Sequence, residues 1–309
     1  MTMDQAASLR EIKRVRNEAG GMADSTALSP GRAASPGAVS HPSRVISITS
    51  GKGGVGKTNI TANLAYILSR KRKKTMVLDA DTGLANIDII LGLTPAYNLY
   101  HVLTGEKTLE EVMVRGPGGM LVLPASSGIG EMADLTRGQK LTLLDELNAL
   151  KEPLDFVLMD TAAGISQNVM YFNLAAEEII VVFTSEPTSL TDAYALIKIL
   201  YQRHAKKRFR LLVNMARSAV QAREVFERLN HATDHFLNLT LDYLGHVIYD
   251  AKLQESVQFQ KPIAELYPAS PATRCLRAIA ETLYHEKPEV DEDGTLRFFR
   301  KNILTNGRE

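Results

Sequence analysis

The sequence predicts an α/β domain, a mostly parallel twisted sheet flanked by helices, with an appendage at each end. Three observations predict it. Seven short apolar, β-branched runs alternate with helical stretches between residues 44 and 286, and strands buried on both faces with helices between them form parallel sheets through right-handed crossovers. The glycine-rich stretch G-K-G-G-V-G-K-T occupies residues 51–58, between the first run and the first helix. The composition is that of a globular protein, 45% hydrophobic and 23% charged over 309 residues.

In chain order the predicted strands are 45–49 (V-I-S-I-T), 75–79 (T-M-V-L-D), 120–124 (M-L-V-L-P), 156–160 (F-V-L-M-D), 179–184 (I-I-V-V-F-T), 209–214 (F-R-L-L-V-N) and 244–248 (L-G-H-V-I). Each is short and rich in Val, Ile, Leu or Phe, the composition of a strand covered on both faces. The predicted helices are 57–68, 140–150, 190–203, 219–236 and 272–284. Outside this core, residues 1–18 are charged, with Ala6, Leu9 and Ile12 at helical spacing. Residues 19–43 are rich in Gly, Ala, Ser and Pro and read as a flexible linker. Residues 44–286 form the core domain, and residues 287–309 an acidic spacer followed by a basic, aromatic stretch.

Composition excludes several classes. Lys and Arg number 36 against 35 Asp and Glu, a formal net charge of +1, so any polyanion must be met by a local patch. One cysteine, Cys275, excludes a disulfide framework, a Cys-based zinc site and an iron–sulfur cluster. No apolar stretch reaches the roughly 18–20 residues that span a bilayer, and the first residues lack the apolar core of a secretory signal. Together these predict a soluble protein of a reducing compartment. The seven His show no metal-ligand spacing.

The chemistry is concentrated in Gly51, Lys52, Gly53, Gly54, Val55, Gly56, Lys57 and Thr58, a full match to G-x-x-x-x-G-K-[ST], followed by Asn59. Glycines let the backbone wrap a phosphate with its N–H groups, and the helix N-terminus adds positive potential. Lys57 is expected on the β- and γ-phosphates and Thr58 on Mg²⁺. Two strands end in carboxylates, Asp79 with Asp81 after the second and Asp160 after the fourth, which places them at the C-terminal edge of a parallel sheet, where ligands bind.

With a second lysine, Lys52, directly after the first glycine, G-K-G-G-V-G-K-T resembles the deviant Walker A loop of the ParA/MinD class of ATPases, and the likeness extends over about residues 44–285. The resemblance implies ATP and Mg²⁺ as cofactors and an ATP-bound sandwich homodimer in which Lys52 reaches the partner's nucleotide. It implies Asp160 in the Mg²⁺ shell, Asp79 supporting loop and metal, and Asp81 orienting the attacking water. It also sets Asn214 against adenine and Asp250 in the base-binding segment. Two departures stand out: Thr161-Ala162 where the class often has Pro or Gly, and Tyr249 in place of Pro.

The run from Asp81 to Asp88 resembles the D-x-G-L-x-N-x-D of the MinD side, and Asp4-Gln5-Ala6-Ala7-Ser8-Leu9-Arg10 resembles the D-Q-A-x-x-L-R segment of the FlhG (FleN/YlxH) family of flagellar-number ATPases. That likeness implies stimulation of the signal-recognition-particle-type GTPase FlhF. Asp4, Gln5, Leu9 and Arg10 would bind it, Gln5 orienting its water and Arg10 meeting phosphate or acidic surface. Leu296, Phe299 and Ile303 share one helical stripe with Arg297 and Lys301 opposite, resembling a MinD-type membrane-targeting helix and implying anionic lipid and reversible attachment to the inner face of the cell membrane. Flagellar switch or transcription-regulator proteins are further implied partners. The rival readings are a division-site MinD, opposed by the detached N-terminal segment, and a DNA-partitioning ParA, opposed by the balanced charge; no specific nucleic acid is expected. The basic runs 70–74 and 203–210 read as solvated faces and Cys275 as a small buried hydrophobe.

Overall fold

In chain order the strands are β1 (Arg44–Ser50), β2 (Thr75–Ala80), β3 (Val114–Arg115), β4 (Leu121–Leu123), β5 (Phe156–Ala163), β6 (Glu178–Phe183), β7 (Arg210–Ala216) and β8 (Asp242–Ile248). The computed structural model describes residues 43–81, 86–125, 135–150 and 153–286. The helices are α1 (Lys57–Arg70), α2 (Ile87–Leu91), α3 (Leu99–Leu103), α4 (Leu109–Val112), α5 (Arg137–Asn148), α6 (Gln167–Ala175), α7 (Pro187–His204), α8 (Ala219–Leu237), α9 (Ala251–Gln258), α10 (Ile263–Leu266) and α11 (Pro271–His285). The strands make one sheet in the order β3-β4-β2-β5-β1-β6-β7-β8. Among the described residues only the β3–β4 pair is antiparallel; the other pairs are parallel.

Period-two alternation divides the strand side chains between two helix layers. Ile46, Ile48, Val77, Leu158, Ile180, Val182 and Leu212 face the side covered by α1, α2 and α11. Val45, Met76, Leu78, Val157 and Met159 face α3, α5 and α6, while Ile179, Val181, Phe183, Leu211 and Val213 face α7 and α8. Each large aliphatic side chain so buried contributes roughly 1.5–3 kcal/mol, which is why these runs read as continuous apolar stretches. Helix starts follow from local chemistry: Ser166, Ser218 and Ser270 accept hydrogen bonds from the first-turn N–H groups of α6, α8 and α11.

All seven predicted strands are present with boundaries moved by a few residues. β5 runs three residues past Asp160, and β7 runs past Asn214 to Ala216 with Met215 in the left-handed region at φ 56°. Beyond the prediction lie the two-residue edge strand β3, the short helices α2, α3, α4 and α10, and the longer α6 and α9. Cys275 is half-buried against the core.

At the N-terminal edge of the sheet, ion pairs tie the beginning of the described chain to its end. Buried Arg44 donates from Nε to Glu178 at 2.7 Å and from Nη1 to the Glu286 carbonyl at 3.0 Å. Arg210 bonds both carboxylate oxygens of Glu286, at 2.6 and 2.9 Å. At the opposite edge the phosphate loop packs on α7: a Cβ added to Gly51 would lie 2.2 Å from the Asp192 carbonyl oxygen, whereas one added to Gly53 would meet nothing within 4 Å. Gly51→Ala should therefore lower stability by about 2–3 kcal/mol through overpacking, and Gly53→Ala by less than about 0.5 kcal/mol. Urea denaturation of the two variants checks the contrast.

Candidate nucleotide site

β1 ends at Ser50, and residues 51–56 turn the chain into α1. Gly54 and Gly56 hold φ of 77° and 91°, and a Cβ on Gly56 would lie 2.4 Å from Asn214 Nδ2, so glycine is required there both by backbone and by space. Gly56 is also the N-cap of α1 and brings no side chain to its first-turn N–H groups. That exposed helix start is what a phosphate-binding loop presents. Val55 is buried under the loop and Gly53 and Gly54 are exposed.

Lys57 is buried, and its Nζ donates to Ser50 Oγ at 2.9 Å. The Ser50 hydroxyl in turn donates to the Lys52 carbonyl at 2.7 Å, so one side chain ties the lysine to the loop. Burial lowers the Lys57 pKa, opposed by the charges of Asp160 and Asp81. Asp160 is fully buried at the end of the inward run of β5; Thr61 donates to it at 3.3 Å and Thr58 is hydrogen-bonded to it. Burial pushes its pKa up to about 6, against the lowering effects of Thr58 and Lys57.

Asp79 is the direct parallel neighbour of Asp160 in the β2–β5 register. Burial first, and the Asp160 charge second, raise its pKa well above the usual carboxylate range. Its two oxygens accept from Asp81 N at 3.1 Å and Ile87 N at 3.4 Å. Asp79 thus grips both ends of the loop between β2 and α2, whose residues 82–85 lie outside the described residues. Asp81 is half-buried and close enough to act on Lys57 and Asp160 through its charge.

Other sequence-derived positions fall differently. Asn214, expected against adenine, is buried and donates its amide to the Val55 carbonyl at 2.7 Å; in this structure it clamps the loop. Asp250 caps α9, accepting from Lys252 N at 3.0 Å and from Ala272 N at 3.2 Å, so its contacts join α9 to α11, while Tyr249 beside it is exposed. Asn59 is half-buried in the first turn of α1. Lys52 Nζ contacts its own chain, Glu186 at 2.5 Å and Thr188 Oγ1 at 2.9 Å. Asp4, Gln5, Leu9 and Arg10, and Leu296, Phe299 and Ile303, lie outside the described residues.

Sequence reasoning missed Ser50, Thr61, Glu186 and Thr188. Thr61 had a usable signal, lying one helical turn after Lys57 on the same face; Glu186 and Thr188 come from a distant turn and had none. For Mg²⁺ the donor set is a hydroxyl, Thr58, beside a buried carboxylate, Asp160, next to a second buried carboxylate. Among the described residues no group of three or more His, Cys, Asp or Glu gathers to hold an ion. These oxygens suit Mg²⁺, which is usually held by one or two carboxylates together with phosphate oxygens and water.

Two adjoining buried carboxylates beside one ammonium raise the free energy of the nucleotide-free fold. Asp160→Asn keeps the shape and removes one charge, so it should raise the melting temperature at neutral pH by about 2–4 °C, corresponding to roughly 1 kcal/mol for a domain of this size, while abolishing ATP hydrolysis. Differential scanning calorimetry and a phosphate-release assay read the two effects.

Comparison with known proteins agrees with this geometry. A family model described as an AAA domain matches residues 43–213. The chain is 42% identical over 264 residues to the antiactivator FleN of Pseudomonas aeruginosa, covering 85% of this chain and 94% of that protein. It is 34% identical over 263 residues to the flagellum site-determining protein YlxH of Helicobacter pylori, covering 84% and 89%. Among solved structures, the septum site-determining protein MinD of Pyrococcus horikoshii, complexed with Mg-ADP, superposes with a TM-score of 0.64 at 27% identity, over 80% of this chain and 100% of that one. With the loop, its lysines and the strand-end carboxylates in place, the chain belongs to the FlhG (FleN/YlxH) family of MinD/ParA-like ATPases.

Proposed function

We propose that the protein is a Mg²⁺-dependent ATPase that dimerises when it binds ATP and regulates flagellar number and placement. The flagellar half of this reading is supported by the names of its relatives, an antiactivator FleN and a flagellum site-determining protein. The observation that carries the switching half is Lys52, a second cation inside a complete phosphate loop whose own lysine, Lys57, is already buried beneath it.

Loop N–H groups and the Lys57 ammonium bind the β- and γ-phosphates, and Thr58 and Asp160 hold Mg²⁺, which supplies neutralisation of the phosphate charge. Asp81 orients the attacking water, and Asp79 holds the ends of the loop that carries it. Lys52 leaves Glu186 for the partner's phosphates. The ion pair it gives up is exposed and worth at most about 1 kcal/mol, less than a charge-assisted contact to phosphate. Loss of the γ-phosphate removes that contact and returns the monomer, so the product of the cycle is a conformational state.

In this reading the ATP dimer is the form that attaches to the membrane, through the stripe of Leu296, Phe299 and Ile303. One tail of two to three turns binds weakly, because so short a helix is marginal in water; two tails on one dimer bind far better through effective concentration. Residues 1–18 act separately, delivering Gln5 to the GTPase FlhF across the linker.

Lys52→Ala should leave ATP affinity of the monomer unchanged by calorimetry and eliminate the ATP-induced dimer by light scattering. A dimer that persists removes the cross-subunit role. Gln5→Ala should abolish stimulation of FlhF GTP hydrolysis while leaving the protein's own ATPase intact; undiminished stimulation would mean that the segment acts by docking alone.

A further inference from the structure

Two basic runs that the nucleotide site does not use meet on one edge of the sheet. The run 70–74 (R-K-R-K-K) ends α1 and leads into β2, and the run 203–210 (R-H-A-K-K-R-F-R) ends α7 and leads into β7. Because these strands are parallel, both runs lie at the N-terminal edge, opposite the phosphate loop. β2 and β7 are four positions apart in the sheet, so the runs are separated by about 19 Å at the usual strand spacing.

Cations nearest the strands are paired: Lys73 with Asp155 at 3.0 Å, Lys71 with Glu281 at 2.6 Å and Arg210 with Glu286 at 2.6 Å. Outside them Arg70, Arg72, Arg203 and Lys207 are exposed. Among the described residues, no exposed large apolar side chain falls within either run or in the last turn of α11. Bases of a single strand need aromatic platforms, and protein interfaces need aromatic anchors. The end of α8, which leads into β8 at the same edge, exposes one aromatic, Phe236; flexible cations around a single aromatic suit a broad sheet of negative charge.

The place where the described chain ends selects which sheet. Glu286 is held at this edge by Arg210 and Arg44, and Tyr284 lies 4.6 Å from Lys71 Nζ and 5.5 Å from Lys73 Nζ across its ring. Ten residues further on is Leu296, a span of at most about 35 Å fully extended. We propose that this basic edge is a second membrane contact, taking the headgroups of anionic lipid beside the C-terminal stripe. The inference rests on the membrane reading above. The phosphate loop sits at the far edge, so a nucleotide sandwich leaves this surface uncovered.

The test uses the full chain with ATP and Mg²⁺ and vesicles of phosphatidylcholine, alone or mixed with phosphatidylglycerol. The variant replaces Arg70, Arg72, Arg203 and Lys207 by Gln, keeping the apolar stems. Each basic side chain near an anionic leaflet is worth about fivefold in partitioning. The variant should therefore co-sediment with mixed vesicles at least about tenfold more weakly, depend less on salt, and keep the parent's ATPase and its weak binding to phosphatidylcholine alone. Equal co-sedimentation of parent and variant overturns the edge contact and leaves the tail reading standing. A parent that ignores every vesicle overturns both. A duplex-DNA shift lost by the variant, with vesicle binding unchanged, reassigns the edge to nucleic acid and overturns the lipid assignment. If the quadruple variant unfolds, the pairs Arg70→Gln/Arg72→Gln and Arg203→Gln/Lys207→Gln, assayed separately, should each show part of the loss.

Discussion

Asp79 and Asp160, buried in neighbouring register positions with the Lys57 ammonium beside them, impose the constraint on which the site depends. Burying two carboxylates next to one cation is unfavourable unless hydroxyls, backbone N–H groups and further positive charge offset it. The structure meets part of that demand locally. Thr58 and Thr61 serve Asp160, the N–H groups of Asp81 and Ile87 serve Asp79, and Ser50 serves Lys57. The apolar sheet on either side fixes these groups, since Val77, Leu158 and Ile48 are packed under α1 and Met76, Val157 and Met159 under the opposite layer. A rigid, charge-strained site of this kind is poised to gain from a cation and phosphate that arrive together.

The two edges of the sheet divide the labour. The C-terminal edge carries the loop, the acidic strand ends and Lys52. The N-terminal edge carries the Arg44–Glu178–Arg210–Glu286 ion pairs where the described chain begins and ends. α1 and α7 connect the edges: α1 starts at Lys57 and finishes in one basic run, and α7 starts beside Glu186, the partner of Lys52, and finishes in the other.

Much of this was legible in the sequence because the informative signals were local. The strand-loop-helix context of residues 44–70 and the apolar runs of the sheet need no knowledge of distant residues. α6 was not legible, because Val169, Met170, Phe172 and Ala175 are buried together with Asn168 and Asn173, which leaves no polar face; Asn173 is satisfied only by Ser47, Thr49 and the Val169 carbonyl. β3 is two residues long and owes its existence to β4. At the site the structure brings Lys57, Thr58, Asp79, Asp81 and Asp160 together. The contacts of Asn214 and Asp250 were not legible, since the sequence carries no sign that Val55, Lys252 and Ala272 will be their hydrogen-bond partners.

In the proposed switch ATP, and not ADP, changes the association state of this chain. Multi-angle light scattering of the purified protein with Mg²⁺ and no nucleotide, ADP, or a non-hydrolysable ATP analogue addresses it directly. The expected result is the monomer mass of 34.0 kDa without nucleotide and with ADP, and twice that mass with the ATP analogue. One mass under all three conditions would contradict it.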